Sequence, residues 1–256
     1  MATHFLTDTA ALTGRSLKHI TRSPDTIITT AVVPIAIMLL FVHVFGGAID
    51  TGPEAAGSYI DYVLPGVLLI TVATGISYTS FRLFNDLESG IFDRFHSMPI
   101  ARSCALWAHV LTSLAANAVS VVVVVGVALL MGFRTGAGVL DWLAVAGILV
   151  LFTLALTWVA VIAGLSATSV EGASVFSYPL IFLPFISSAF VPTASMPGPV
   201  GWFAEHQPAT SIVNTIRDLF AGQPVAGDVR VALAWCVGAL VVAHVVAMTT
   251  YRRKIA

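Results

Sequence analysis

Charge is what this sequence has least of. Only 10% of its 256 residues are charged while 57% are hydrophobic, and the mean hydropathy is +0.93. Soluble domains carry about 25% charged residues, so the composition excludes an ordinary water-soluble fold and calls for a lipid environment. The formal net charge is −1. No basic stripe with interleaved aromatics occurs, so nucleic acid is not an expected partner. Cysteine is scarce too: Cys104 and Cys236 stand outside any CxxC or Cys/His cluster, which predicts free thiols and no metal site. There is no Gly-Lys dipeptide, hence no Walker A loop to cradle a nucleotide phosphate. GxSxG, HExxH and SxxK are missing as well. The chain is therefore expected not to be an enzyme, with no catalytic residues and no cofactor of its own.

What is present is a series of apolar runs. A helix needs about 20 mostly apolar residues to cross the hydrocarbon, because every backbone polar group must be bonded internally there. Six segments meet this requirement: Ile27–Phe45, Tyr59–Phe81, Ala105–Phe133, Trp142–Ala167, Gly172–Val191 and Val231–Thr250. The fifth carries Pro179 and Pro184 and is expected to kink. The expected fold is thus an all-α integral membrane protein with six transmembrane helices in a single domain over residues 1–256. Met1 to Asp25 lacks the 7–15-residue apolar core of a signal peptide, so the first run is expected to remain as a span.

Lys and Arg set the orientation. Arg15, Lys18, Arg22, Arg82, Arg94, Arg102, Arg252, Arg253 and Lys254 fall on one side, against Arg134, Arg217 and Arg230 on the other. This predicts cytoplasmic termini, a cytoplasmic loop over 82–104, and a non-cytoplasmic segment over 192–229. Within residues 1–24, Leu6, Ala10, Thr13, Leu17 and Ile20 share one helical face and Asp8, Arg15, Lys18 and Arg22 another, the pattern of an interfacial amphipathic helix on membrane lipids. A frayed tail is the alternative. Ser23-Pro24-Asp25 reads as a cap separating this segment from span one.

The predicted spans hold no Asp, Glu, Lys or Arg except Asp61, near a span end. That argues against a proton-coupled carrier built on a central carboxylate. His43, His109 and His244 read as hydrogen-bonded structural histidines, and Asn117 as an interhelical hydrogen bond.

Two polar segments interrupt the apolar pattern. Asn85 with Glu88 has the spacing of a capping box, and Asp86 adds negative charge at the start of a helix. A short helix is therefore expected from here to Met98-Pro99. Its Ile91, Phe92 and Phe95, rimmed by Asp86, Glu88, Asp93 and Arg94, fit either a docking knob for a soluble partner or a loop helix folded back under the bilayer. In the second segment, Met196-Pro197-Gly198-Pro199 reads as a tight turn. Ile212, Val213, Ile216, Leu219 and Phe220 form an apolar stripe ending before Gly222, as in a re-entrant helical hairpin. Arg217 and Asp218 are expected in a structural role at its surface.

The run Asp86-Leu-Glu-Ser-Gly90-Ile-Phe-Asp-Arg94-Phe-His-Ser-Met-Pro99-Ile-Ala-Arg102 resembles the loop between spans two and three of ABC-2 type transporter permeases, especially the daunorubicin/doxorubicin-resistance branch. Ala189-Phe-Val-Pro192, Met196-Pro197, Trp202-Phe-Ala, Pro208-Ala-Thr210 and Arg217-Asp-Leu-Phe-Ala-Gly222 resemble the long outer segment of that family. With the six-span plan, the resemblance covers essentially the whole chain. His96 departs from the family pattern. The resemblance implies a drug-efflux permease subunit in the bacterial plasma membrane, without a nucleotide site. ATP and Mg would be bound by a partner ABC ATPase, and a second permease copy or homologous permease would complete the pathway. It implies an ATPase-coupling helix carrying Asp86, Glu88, Gly90, Phe92, Arg94, Phe95, Pro99 and Arg102. It also implies an outer gate at Pro192, Met196, Pro197, Trp202, Pro208, Ile216 and Arg217. The charge-free spans suit an amphiphilic substrate: a drug, natural product or lipid. The alternatives are an exporter of a lipid-linked glycan on the same fold, or a secondary carrier or passive channel.

Overall fold

The computed structural model describes residues 9, 13–14, 24–46, 58–91, 103–225 and 227–254, with the backbone alone at 24–29. Among these residues all regular structure is helical. The helices are α1 (Pro24–Leu40), α2 (Tyr59–Glu88), α3 (Cys104–Leu130), α4 (Val139–Ser166), α5 (Val170–Val175), α6 (Ser177–Phe182), α7 (Gly198–His206), α8 (Pro208–Ala221) and α9 (Asp228–Lys254). A π-helical turn, Phe41–Phe45, extends α1, and 3-10 turns occupy Leu183–Ile186 and Thr193–Ser195.

Four of these helices, α2, α3, α4 and α9, are long and apolar enough to cross a membrane. They coincide with the second, third, fourth and sixth predicted spans. The first and fifth correspond to shorter apolar stretches, Thr30–Phe45 and Val170–Ile186. The fifth is broken rather than merely kinked: α5 ends at Val175, α6 at Phe182, and a 3-10 turn follows. Pro179 and Pro184 each lack an amide hydrogen, so an uninterrupted i→i−4 ladder cannot run through this segment. Of the expected N-terminal helix only Thr9, Thr13 and Gly14 are described; they are helical, and Thr13 Oγ1 donates to the Thr9 carbonyl at 2.7 Å.

The central helix is α2. Its most apolar window is 78% buried, against 28% for α3 and 22% for α9, so α2 is the axis on which α3, α4, α8 and the α5–α6 segment pack. Toward the α7–α8 end the core gathers Leu64, Leu68, Phe133, Ile212, Ile216 and Phe220. Toward the opposite end it gathers Leu83, Leu106, Trp158, Val161, Ala247 and Tyr251. In lipid there is no hydrophobic gain from joining two helices, so small residues and interhelical hydrogen bonds carry much of the association. Asp61 joins two elements in this way: its carboxylate accepts from the Ser58 amide at 2.9 Å and from the Arg134 amide at 3.1 Å. This clamps the start of α2 to the α3–α4 loop.

Candidate functional site

The end of α2 differs from the sequence expectation. Asn85 does not start a helix. It lies in the last turns of α2, where its carbonyl accepts from Ser89 N–H at 2.9 Å. The Asn-x-x-Glu spacing is shared by a capping box and by any helix interior, and the unbroken α2 ladder decides between them. The helix stops at Ser89 and Gly90, whose φ of 68° is left-handed and favours glycine. Ile91 is helical again. Phe92, Arg94, Phe95, Pro99 and Arg102 lie outside the described residues. Asp86 is half-buried on α2, and its Oδ2 lies 3.2 Å from His109 Nε2 on α3; Glu88 is exposed. Thus the helices flanking the polar segment are clasped to each other one turn inside it. On the same side, Lys254 Nζ donates to the Leu165 carbonyl at 2.8 Å, a basic group satisfying a carbonyl in the last turn of α4.

Between the ends runs a seam of hydroxyls. Thr79 on α2 donates to Ser113 Oγ on α3 at 2.7 Å, and Ser113 Oγ lies 3.3 Å from Thr157 Oγ1 on α4. Thr30 and Ser120 join α1 to α3 at 3.1 Å. Asn117 plays a different part from the expected interhelical bond. Its amide donates within α3 to the Ser113 carbonyl at 3.0 Å, while its Oδ1 abuts Gly75 of α2, where a Cβ would collide with it. His244 also packs rather than pairs, its ring edge-on to Trp158 with centroids 4.4 Å apart.

At the other end, α7 and α8 occupy the segment expected as a hairpin and are joined through Gln207. The expected stripe on α8 is buried in full: Ile212, Val213, Ile216, Leu219 and Phe220 are each at most 4% exposed. Gly222, with φ 65°, ends the helix. The loop before α4 caps the same terminus: Thr135 Oγ1 donates to the Phe220 carbonyl at 2.7 Å and Gly136 N–H to the same oxygen at 3.0 Å. The expected Met196-to-Pro199 turn lies one step earlier. A 3-10 turn over Thr193–Ser195 closes onto the Pro192 carbonyl, and Gly198 and Pro199 already belong to α7, since proline suits the first helical turn. Pro192 and Met196 are half-buried and Pro197 is exposed. Trp202 does not pack against the long helices. It is 65% exposed and stacks on His206 of its own helix, centroids 4.7 Å apart. The inward face of α7 is made by Gly201 and Ala204, which lets the hairpin sit close and turns the indole outward.

Arg217 is the joint of this end. Its Nη2 donates to the Ser188 carbonyl at 2.7 Å and the Tyr62 carbonyl at 3.2 Å, and its Nη1 to Asn214 Oδ1 at 3.0 Å. The guanidinium also lies 3.8 Å from the centre of the Tyr62 ring. Gln207 serves the same broken stretch, its Nε2 donating to the Ile186 carbonyl at 2.7 Å. Asn214 Oδ1 accepts from Ser188 Oγ at 2.6 Å, while its Nδ2 donates to Asp228 at 3.1 Å. Irregular backbone at membrane depth is tolerated only where protein groups satisfy it, and these side chains do so for residues 183–188. The structural role expected of Arg217 is thereby given partners. Gln207, Asn214 and Tyr62 were not singled out in the sequence. The available signal was a pair of amides on or beside an otherwise apolar helical face.

Among the described residues no group of three or more His, Cys, Asp or Glu side chains is placed to hold a metal ion. Polar groups hold the broken segment and the ends of the long helices together.

Residues 7–221 match the family model described as ABC-2 type transporter. The chain is 28% identical over 256 residues to the daunorubicin resistance ABC transporter permease protein DrrB1 of Streptomyces coeruleorubidus, covering 96% of this chain and 88% of that protein. It is 27% identical over 252 residues to the probable doxorubicin resistance ABC transporter permease protein DrrC of Mycobacterium tuberculosis, covering 97% and 90%. A family match over most of the chain, together with long apolar helices braced by buried polar joints, identifies the protein as a multi-pass membrane protein of the ABC-2 type transporter family.

Proposed function

We propose that this chain is the permease subunit of an ATP-driven exporter, moving an amphiphilic drug, natural product or lipid-like molecule out across the bacterial plasma membrane. Six spans with cytoplasmic termini come from each permease. Two copies, or one copy and a homologous permease, enclose the pathway, and separate ABC ATPase subunits bind ATP and Mg. The observation that carries this reading is the alignment over nearly the full length with two drug-resistance permeases. The geometry supports it at both ends. A push on the segment after Gly90 bears on α2 and α3 together, because Asp86 and His109 link them. At the other end Arg217 is engaged with backbone carbonyls and Asn214, so the hairpin's contribution to a gate is steric. Ile216 then holds α8 in place, while Pro192, Met196, Pro197, Trp202 and Pro208 shape its outer surface.

The test is ATP-driven efflux of a fluorescent amphiphile from vesicles holding the permease and its ATPase, with cysteine probes reporting orientation. Export that needs ATP, with labelling from outside at Gly227 and none at Ser89, is expected. Transport that persists without ATP overturns the ABC mechanism, and outside labelling of Ser89 overturns the orientation.

A further inference from the structure

The exposed side of α9 carries a groove bounded by Arg230, Val231, Ala234, Trp235, Gly238 and Val242. Arg230, exposed, stands at its head. From there to Val242 the helix rises roughly 18 Å at 1.5 Å per residue, close to one leaflet's share, about 15 Å, of the hydrocarbon thickness. The floor is low because Ala234, Gly238 and Ala239 present little or no side chain. A second observation is independent of this surface. Behind Trp235 and Ala239, which line both spaces, lies a cavity of about 110 Å³ walled by Leu69, Phe152, Leu180, Pro184 and Ile212, with Cys236 at its edge. Two helix breaks line it, the 3-10 turn at Pro184 and the start of α8 at Pro208. A dry cavity of about 150 Å³ with comparable walls binds benzene, so this one takes a short stretch of hydrocarbon.

We propose that the groove and cavity together hold one phospholipid with an anionic headgroup. Its phosphate lies at Arg230, one acyl chain follows Ala234 and Gly238, and part of the lipid's hydrocarbon turns past Trp235 into the cavity. The choice of lipid over a protein helix rests on the cation placed at the head of a leaflet-long groove, and on a side cavity that a branched, flexible chain can enter and a rigid helix cannot. The leaflet is the one bordering the Arg230 end, whichever side of the membrane that is. Occupation would wedge α8 against α9, placing a structural lipid beside the hairpin.

The test is native mass spectrometry of the purified full chain in detergent, titrated with phosphatidylglycerol or phosphatidylcholine. Saturable binding of one phosphatidylglycerol is expected, with Arg230→Gln weakening it about fivefold, as for a single surface cation facing an anionic lipid. Gly238→Leu should abolish the saturable site. A Cβ at Gly238 meets nothing within 4 Å, so this variant fills the groove without disturbing the core, and an unchanged melting temperature verifies that. Equal affinity for both lipids refutes the headgroup assignment. Binding unaltered by Gly238→Leu, or binding that never saturates, refutes the site. Loss of a permease dimer in Gly238→Leu would place a second copy in the groove instead and overturn the proposal. None of these readouts depends on transport or on an ATPase.

Discussion

Replacing Arg217 with alanine removes one side chain and disconnects three pieces of chain at once. The Ser188 and Tyr62 carbonyls lose a charged donor at 2.7 and 3.2 Å, Asn214 loses one at 3.0 Å, and the Tyr62 ring loses a cation 3.8 Å away. A hydrogen bond to a charged group contributes about 1.5–3 kcal/mol, and a cation over an aromatic face about 0.5–2 kcal/mol. Taking the low end for the two carbonyls and the whole range for the ring gives a loss of about 3.5–5 kcal/mol. At about 2–4 °C per kcal/mol for a chain of this size, the melting temperature of the purified protein should fall by roughly 7–20 °C. Arg217→Lys should recover less than half of that, because an ammonium is a compact point charge that cannot reproduce the planar fork. The measurement is thermal unfolding in detergent followed by tryptophan fluorescence. A fall of less than about 2 °C for Arg217→Ala would mean that the freed carbonyls find other donors without cost, and the joint would lose its claim to hold the broken segment.

Four further outcomes are expected, the first three from the geometry and the last from the proposed ATPase contact. Gly75→Ala drives a methyl against Asn117 Oδ1 and should destabilise by about 1–3 kcal/mol; combined with Asn117→Ala its cost should shrink, and strictly additive costs would show that the two sites do not touch. Trp202→Ala should change stability by no more than about 0.5 kcal/mol, because the indole is exposed. Ile216→Asp, which buries a carboxylate at a fully buried position, should cost about 4 kcal/mol or more and deplete the folded peak in size-exclusion chromatography. Phe92→Ala/Phe95→Ala should reduce copurified ATPase by about thirtyfold or more, the loss expected when hot-spot aromatics worth about 2 kcal/mol are truncated; undiminished recovery would place the docking surface elsewhere.

The long helices were legible because hydropathy reports them directly: α2, α3, α4 and α9 need nothing beyond an apolar run of sufficient length. The buried stripe on α8 was equally legible, since Ile212, Ile216 and Leu219 recur with helical spacing. What failed was local punctuation. Asn85 and Glu88 have the spacing of a cap, yet nothing in the pair itself says whether the preceding helix has stopped, and here it had not. Trp202, expected at an outer gate, turns outward, because the packing of α7 is decided by the small residues Gly201 and Ala204. The Arg217 joint was illegible for a different reason. Its partners are backbone carbonyls at Tyr62 and Ser188, 155 and 29 positions away in the chain, and a carbonyl has no sequence signature.

The length of α2 has a mechanical consequence. Its 30 residues form a rod of roughly 45 Å, with Tyr62, anchored to Arg217, near one tip and Asp86, linked to His109, near the other. Beyond Pro65, which lacks the amide for one rung of the ladder, the helix runs on to Glu88 as a single stiff segment. Tilted about its middle by roughly 10°, it swings each tip by roughly 4 Å in opposite directions, more than the reach of a hydrogen bond. A tilt imposed at Asp86 would therefore reach the opposite tip reversed in sense, as in a lever that can flex near Pro65, and the contacts of Arg217 are where it would be either transmitted to α8 or broken.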